Sequence, residues 1–160
     1  MALVLTGYGR LDRPHRDVER CLRDLAEAVR ARDIVLVRGR ACLFVEKLEE
    51  HFADEEALMR ATAWSQIARH TDCHAHLLFE ARRFERHVAV NSLTPGIASW
   101  ALIRLPELIR FHCIVSDFGF AKYALRLAQD PRPRLARRGD SPVRREMSVP
   151  RIRSASPPRT

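Results

Sequence analysis

Apolar side chains recur through the first 130 residues at steps of three and four, the spacing that lines one side of an α-helix. Val18, Leu22, Leu25 and Val29 form the first stripe, and His15 leads it. Asp12 followed by Pro14 predicts the start of this helix, since a carboxylate accepts orphan backbone donors and proline needs no donor in the first turn. The helix is predicted to end near Ala31. Asp33 is placed to cap a second helix reaching about Thr62, with the stripe Val37, Ala41, Phe44, Leu48, His51, Glu55 and Leu58. Gly39 weakens its opening turns. A third helix, from about Ser65 to Asn91, carries Ile67, His70, His74, Leu77, Ala81, Phe84 and Val88 on one side.

Thr94-Pro95-Gly96 marks a break, and a fourth helical segment follows to about Gln129. Pro106 interrupts it, because proline inside a helix removes one hydrogen bond and clashes with the preceding turn. Either a kinked helix begins near Ile97 or the main helix begins at Pro106. Four such helices joined by short connections predict an all-α, antiparallel up-and-down four-helix bundle over residues 1–130.

Composition agrees: 46% of residues are hydrophobic and only six are glycine, in a chain long enough for one domain with a sizeable core. Charge divides the chain more sharply. Of the net +8, residues 131–160 carry +7, from nine arginines against Asp140 and Glu146, and they hold six of the nine prolines. This basic Arg/Pro/Ser segment has too few large apolar groups to offset the entropy of ordering, and reads as a disordered tail. The folded part is nearly neutral, so no specific nucleic-acid partner is expected; the tail is suited to an acidic partner or surface. Cys21, Cys42, Cys73 and Cys113 are widely spaced and read as reduced thiols. No apolar stretch approaches a membrane span and Met1–Arg10 lacks the features of a secretory leader, so a cytoplasmic protein without a transmembrane segment is expected.

The stripes contain the wrong residues for a plain core. Burying His51, Glu55, His70, His74 and His112 is costly unless something satisfies them together, and a cation does so by accepting imidazole nitrogen and carboxylate oxygen. His51 and Glu55 are four apart, as are His70 and His74, so each pair stacks on one helix face. His112 and Asp117 are five apart, which in an α-helix sets the aspartate about 140° round from the histidine, reaching sideways. With His15, seven groups are too many for one tetrahedral ion and suit two ions sharing carboxylates.

This set resembles the ligands of the hemerythrins and bacteriohemerythrins: His15 within Leu11-Asp12-Arg13-Pro14-His15, then His51-Phe52-Ala53-Asp54-Glu55-Glu56 with Leu58-Met59, then His70-x-x-x-His74, then His112-x-x-x-x-Asp117. The match runs over roughly residues 6–127. It implies two iron ions, one held by His70, His74 and His112, the other by His15 and His51. Glu55, Asp117 and an oxo or hydroxo group would bridge them, and dioxygen would bind at an open position on the second iron. Five neutral imidazoles favour return to the ferrous state more than a carboxylate-rich set does, so reversible dioxygen binding for storage, delivery or sensing, without a catalytic residue, is the expected function. The alternatives are a di-iron enzyme or stress protein acting on peroxide or nitric oxide or donating iron, and a redox-sensing module that uses its tail. Zinc or manganese would also suit these donors.

The sequence departs from the family at Leu108, Ile109 and Cys113, which would line the oxygen pocket and keep it apolar, and at Trp64-Ser65. His76 and His87 lie off the stripes and read as surface residues, Cys73 as packing, and Glu56 and Asp72 as solvated charges.

Overall fold

The computed structural model of the protein describes residues 5–129; the predicted tail, residues 131–160, lies outside them. The described residues are helical and contain no strand. We label the helices α1 (Gly9–Arg30), α2 (Ile34–Ala61), α3 (Ile67–Val90) and α4 (95–129). α1 packs on α2, α2 on α3, and α4 against both α1 and α3. None is long and apolar enough to cross a membrane.

The stripes predicted from spacing are buried except at Leu58 and Ile67, which are half-buried. Leu25, Val37, Ala41 and Phe44 lose all contact with solvent, alongside Leu22, Leu48, Leu77, Phe84 and Val88, in one large apolar cluster that also takes in Leu105, Ile109 and Cys113 of α4. A second, smaller cluster gathers Leu11, Met59, Trp64, Phe120, Ala121 and Ala124. The predicted ligands lie between the two clusters along all four helices. Each large side chain so buried contributes roughly 1.5–3 kcal/mol, which keeps the polar layer clamped from both sides. The Tyr123 hydroxyl also donates to the Thr62 carbonyl at 2.7 Å, tying the end of α4 to the α2–α3 connection.

Three local details differ from the sequence reading. α1 begins at Gly9, so Pro14 falls within the helix, and Asp12 does not cap it. The Asp12 carboxylate turns back instead to accept from the Thr6 N–H (2.7 Å), the Thr6 hydroxyl (2.8 Å) and the Gly7 N–H (3.1 Å), folding the entering chain over the helix start. Asp33 does cap α2, accepting from Val35 and Leu36 N–H, and Gly39 leaves the opening turns intact.

The fourth helix runs through Pro106 from Pro95, close to the start near Ile97 that the first alternative gave, and does not begin at Pro106. Thr94 caps it and Pro95 opens it, and a π-helical turn over Trp100–Arg104, closed by the Leu105 N–H to the Trp100 carbonyl, immediately precedes Pro106. A π turn widens the helix by one residue, which relieves the ring's clash with the turn before it and lets the helix proceed.

α1 and α2 end the same way. Arg32 (φ 55°) and Ala63 (φ 54°) adopt the left-handed conformation. Around them Asp33 N–H reaches the Ala28 carbonyl (3.2 Å) and Trp64 N–H the Met59 carbonyl (3.1 Å). Glycine normally fills this position, because a Cβ there costs about 1–2 kcal/mol. Ala63→Gly is therefore expected to raise the unfolding free energy by about 1 kcal/mol, after the extra freedom of glycine in the unfolded chain is subtracted; urea titration followed by circular dichroism measures it, and an unchanged or lower midpoint would contradict the strain.

Candidate metal centre

Each helix delivers its share of the site from the buried stripe: His15 from α1, His51 and Glu55 from successive turns of α2, His70 and His74 from successive turns of α3, and His112 and Asp117 from α4. All seven are buried, none more than 5% exposed. The last pair meets by a route that α-helical geometry does not offer. Cys113–Asp117 forms a second π turn, closed by the Phe118 N–H to the Cys113 carbonyl. The wider turn brings residue 117 back beneath residue 112, so Asp117 Oδ1 lies 2.9 Å from His112 Nε2. The expected sideways reach is thus replaced by near alignment.

The imidazoles fall into two groups. The rings of His70, His74 and His112 lie 4.6–4.9 Å apart, centre to centre. Those of His15 and His51 lie 4.8 Å apart. The carboxylates stand between the groups. Asp117 Oδ2 is 3.0 Å from His15 Nε2, while its Oδ1 is 3.2 Å from His70 Nε2 and 2.9 Å from His112 Nε2. Glu55 Oε2 is 3.3 Å from His74 Nε2, 3.6 Å from His70 Nε2 and 3.9 Å from His51 Nε2. His51 stands furthest out, while donor atoms of Glu55, His70, His74, His112 and Asp117 all lie within 4.8 Å of one another.

These short separations are not hydrogen bonds. Both oxygens of Glu55 and of Asp117, and Nε2 of His15, His70, His74 and His112, are buried without a hydrogen-bond partner. They converge on shared points instead. Two ligand atoms bound at about 2.1 Å and at right angles to each other stand about 3.0 Å apart, which is the spacing seen between Asp117 and its imidazoles. A donor set of imidazole nitrogens and carboxylate oxygens, orphaned and gathered in this way, fits a metal ion.

Aromatic rings fix the ligands from outside. Phe52 stacks on His74 with ring centres 3.8 Å apart and meets His112 edge-on at 5.5 Å. Trp64 meets His70 edge-on at 5.4 Å. Glu56, read from sequence as a solvated charge, is part of the centre: His74 Nδ1 donates to its Oε1 at 3.0 Å. A carboxylate only accepts, so this bond places the imidazole proton on Nδ1 and turns the Nε2 lone pair inward.

The remaining candidates divide. Ile109 and Cys113 are buried, and the Cys113 thiol lies within 4.8 Å of donor atoms of His15 and Asp117. Leu108 lines a cavity of about 730 Å³ that reaches His70 and His112 between α3 and α4, together with Cys73. A second cavity, of about 670 Å³, reaches His51 and Glu55 between α1 and α2. His76 and Asp72 are exposed, as read, whereas His87 is half-buried and its Nε2 is buried without a partner. All four cysteines are free thiols.

Burial and charge pull the titrations apart. Burial lowers His51 to about 4, outweighing the attraction of Glu55. At His70 burial acts the same way but loses to Asp117 and Glu55, which raise it to about 9. Burial alone would raise both acids; the imidazoles of His70 and His74 overcome it at Glu55, held at about 2, and those of His112, His15 and His70 hold Asp117 well below the usual carboxylate range. Burial, aided by Asp117, pushes the Cys113 thiol far above its ordinary value.

Two outcomes follow from this arrangement. In the metal-free protein His70 keeps its proton at pH 7, since its value lies near 9; a metal accepts only the neutral ring, so loading at pH 7 should release about one proton from this site, and apparent affinity should climb as pH rises from 7 towards 9. An indicator dye in weak buffer measures the proton, and uptake without release would contradict it. Glu56→Ala should weaken metal binding by about 10- to 100-fold with helix content unchanged, measured by competition with a chelator. No family model matches the chain and no curated protein matches it.

Proposed function

We propose that the chain is a hemerythrin-like protein, an antiparallel up-and-down four-helix bundle that holds two iron ions and binds dioxygen reversibly. The observation that carries this reading is the shared carboxylate of Asp117, with one oxygen on His15 and the other on His70 and His112. A carboxylate so placed between two imidazole groups suits a pair of ions better than a single one. His70, His74 and His112 would hold one ion, His15 and His51 the other, and Glu55 and Asp117 both. The up-and-down arrangement is supported by the order of residues along each helix. α1 and α3 pass from the small apolar cluster through their ligands to the large one, and α2 and α4 pass the opposite way.

Held by these seven residues, two ferrous ions would supply the electrons for reversible dioxygen binding. The chain's own residues set the conditions for that reversibility. Five imidazoles against two carboxylates keep the donor set low in negative charge, which disfavours permanent oxidation. Phe52, Ile109 and Cys113 surround the donors with apolar surface and limit the entry of water. Glu56 fixes the ring of His74.

One observation favours a second reading, an enzyme acting on peroxide or nitric oxide: the Cys113 thiol stands beside His15 and Asp117, where the resemblance places the open coordination position. A single experiment separates the two. Anaerobically reduced, iron-loaded protein should contain two irons per chain and develop a ligand-to-iron charge-transfer band on exposure to oxygen that disappears on degassing, through repeated cycles. Asp117→Ala should lose at least one iron together with the band. Irreversible oxidation accompanied by steady consumption of peroxide or nitric oxide would select the enzyme, and binding of a single ion would overturn the dinuclear reading.

A further inference from the structure

The outer side of α4 is apolar where a solvent-facing helix is ordinarily charged. Phe111 (66% exposed), Val115 (52%), Ile114 and Phe118 follow one another at steps of three and four, on the side away from His112 and Asp117. The stripe borders the cavity between α3 and α4, whose lining adds Leu108 and Leu77. A contiguous apolar strip of this kind is uncommon on a surface that stays in water, and marks an interface.

The order of residues along the strip identifies its occupant. Ile114 and Val115 stand at the middle. Phe111 lies as far before that midpoint as Phe118 lies after it, and Glu107 as far before as Lys122 after. A two-fold interface requires this pattern, because residue i must meet residue j while j meets i. When two copies of α4 run antiparallel about the midpoint, Phe111 faces the partner's Phe118, and Glu107 faces the partner's Lys122. Both charges are available for the pairing. Glu107 has only Arg104, at 4.0 Å, and Lys122 has no carboxylate partner among the described residues, its ammonium resting 4.6 Å from the Phe118 ring centre. Gly119, facing the partner's Arg110, leaves room for that long side chain.

We propose that this face of α4 binds a second copy of the chain, forming a two-fold dimer through antiparallel α4 helices with reciprocal Glu107–Lys122 ion pairs at its two ends. The interface covers the cavity that reaches His70 and His112, so each copy closes the solvent path to the other's centre along α3 and α4.

Sedimentation velocity of the full, iron-loaded chain tests this. The protein should sediment as a species of twice 18.4 kDa. Val115→Glu sets two like charges together at the axis and should yield monomer with unchanged iron content and circular dichroism. Glu107→Lys should weaken the dimer about tenfold, by opposing the partner's Lys122, and adding Lys122→Glu should restore it, which only an antiparallel pairing in this register can do. A monomeric native chain, a dimer indifferent to Val115→Glu, or a swapped pair that fails to recover would each overturn the proposal. A native monomer whose Phe111 and Phe118 resist hydroxyl-radical labelling would do so as well, and would assign the strip to residues 131–160 of the same chain.

Discussion

The organisation of this protein depends on one constraint: five imidazoles and two carboxylates are withdrawn from water between four helices, and both carboxylates and most of the imidazole nitrogens are left without hydrogen-bond partners. Isolated, each would cost several kcal/mol. Together they form an anionic and nitrogen-rich pocket whose unsatisfied atoms face one another, and a cation is the natural complement. The apolar clusters on either side make the arrangement rigid. They bury enough surface to hold all four helices in register, so the polar layer cannot relax by opening to solvent.

Much of this was legible in the chain because burial and helical spacing are written in the same residues. The stripes from Val18 to Val29, Val37 to Leu48 and Leu77 to Val88 predict which sides turn inward, and the histidines that interrupt them predict where the polar layer lies. His15, His51, Glu55, His70 and His74 follow from that rule alone, since each sits in step with buried neighbours on a regular helix. The all-helical character and the number of helices follow too, from helix lengths and the short connections at 31–33 and 62–66.

What escaped the sequence has a common cause in local backbone irregularity. The π turns over Trp100–Arg104 and Cys113–Asp117 leave no simple compositional mark, so Pro106 read as an interruption and Asp117 as a residue turned away from His112. Arg32 and Ala63 close their helices in a conformation normally announced by glycine, so the ends read near Ala31 and Thr62 are right while the left-handed residues after them leave no mark. Asp12 has the residue type of a cap but serves the loop before it. Glu56 is a different case: adjacent to Glu55, it falls about 100° round the helix from the stripe, and only the crossing of α3 brings His74 within its reach.

The turn over Cys113–Asp117 also fixes what lies downstream of it. One residue more than an α-helical turn is accommodated there, so everything from Phe118 to Gln129 is rotated by about 100° relative to an unbroken helix. With that offset Phe120, Ala121 and Ala124 meet the small cluster, while Phe118 and Lys122 remain outside. Removing a single residue between His112 and Phe118 would thus rephase an entire terminal helix and displace its apolar face from the core. For folding, length in this five-residue stretch matters more than the side chains at Ile114 or Ser116, where substitutions should be tolerated and no insertion or deletion would be.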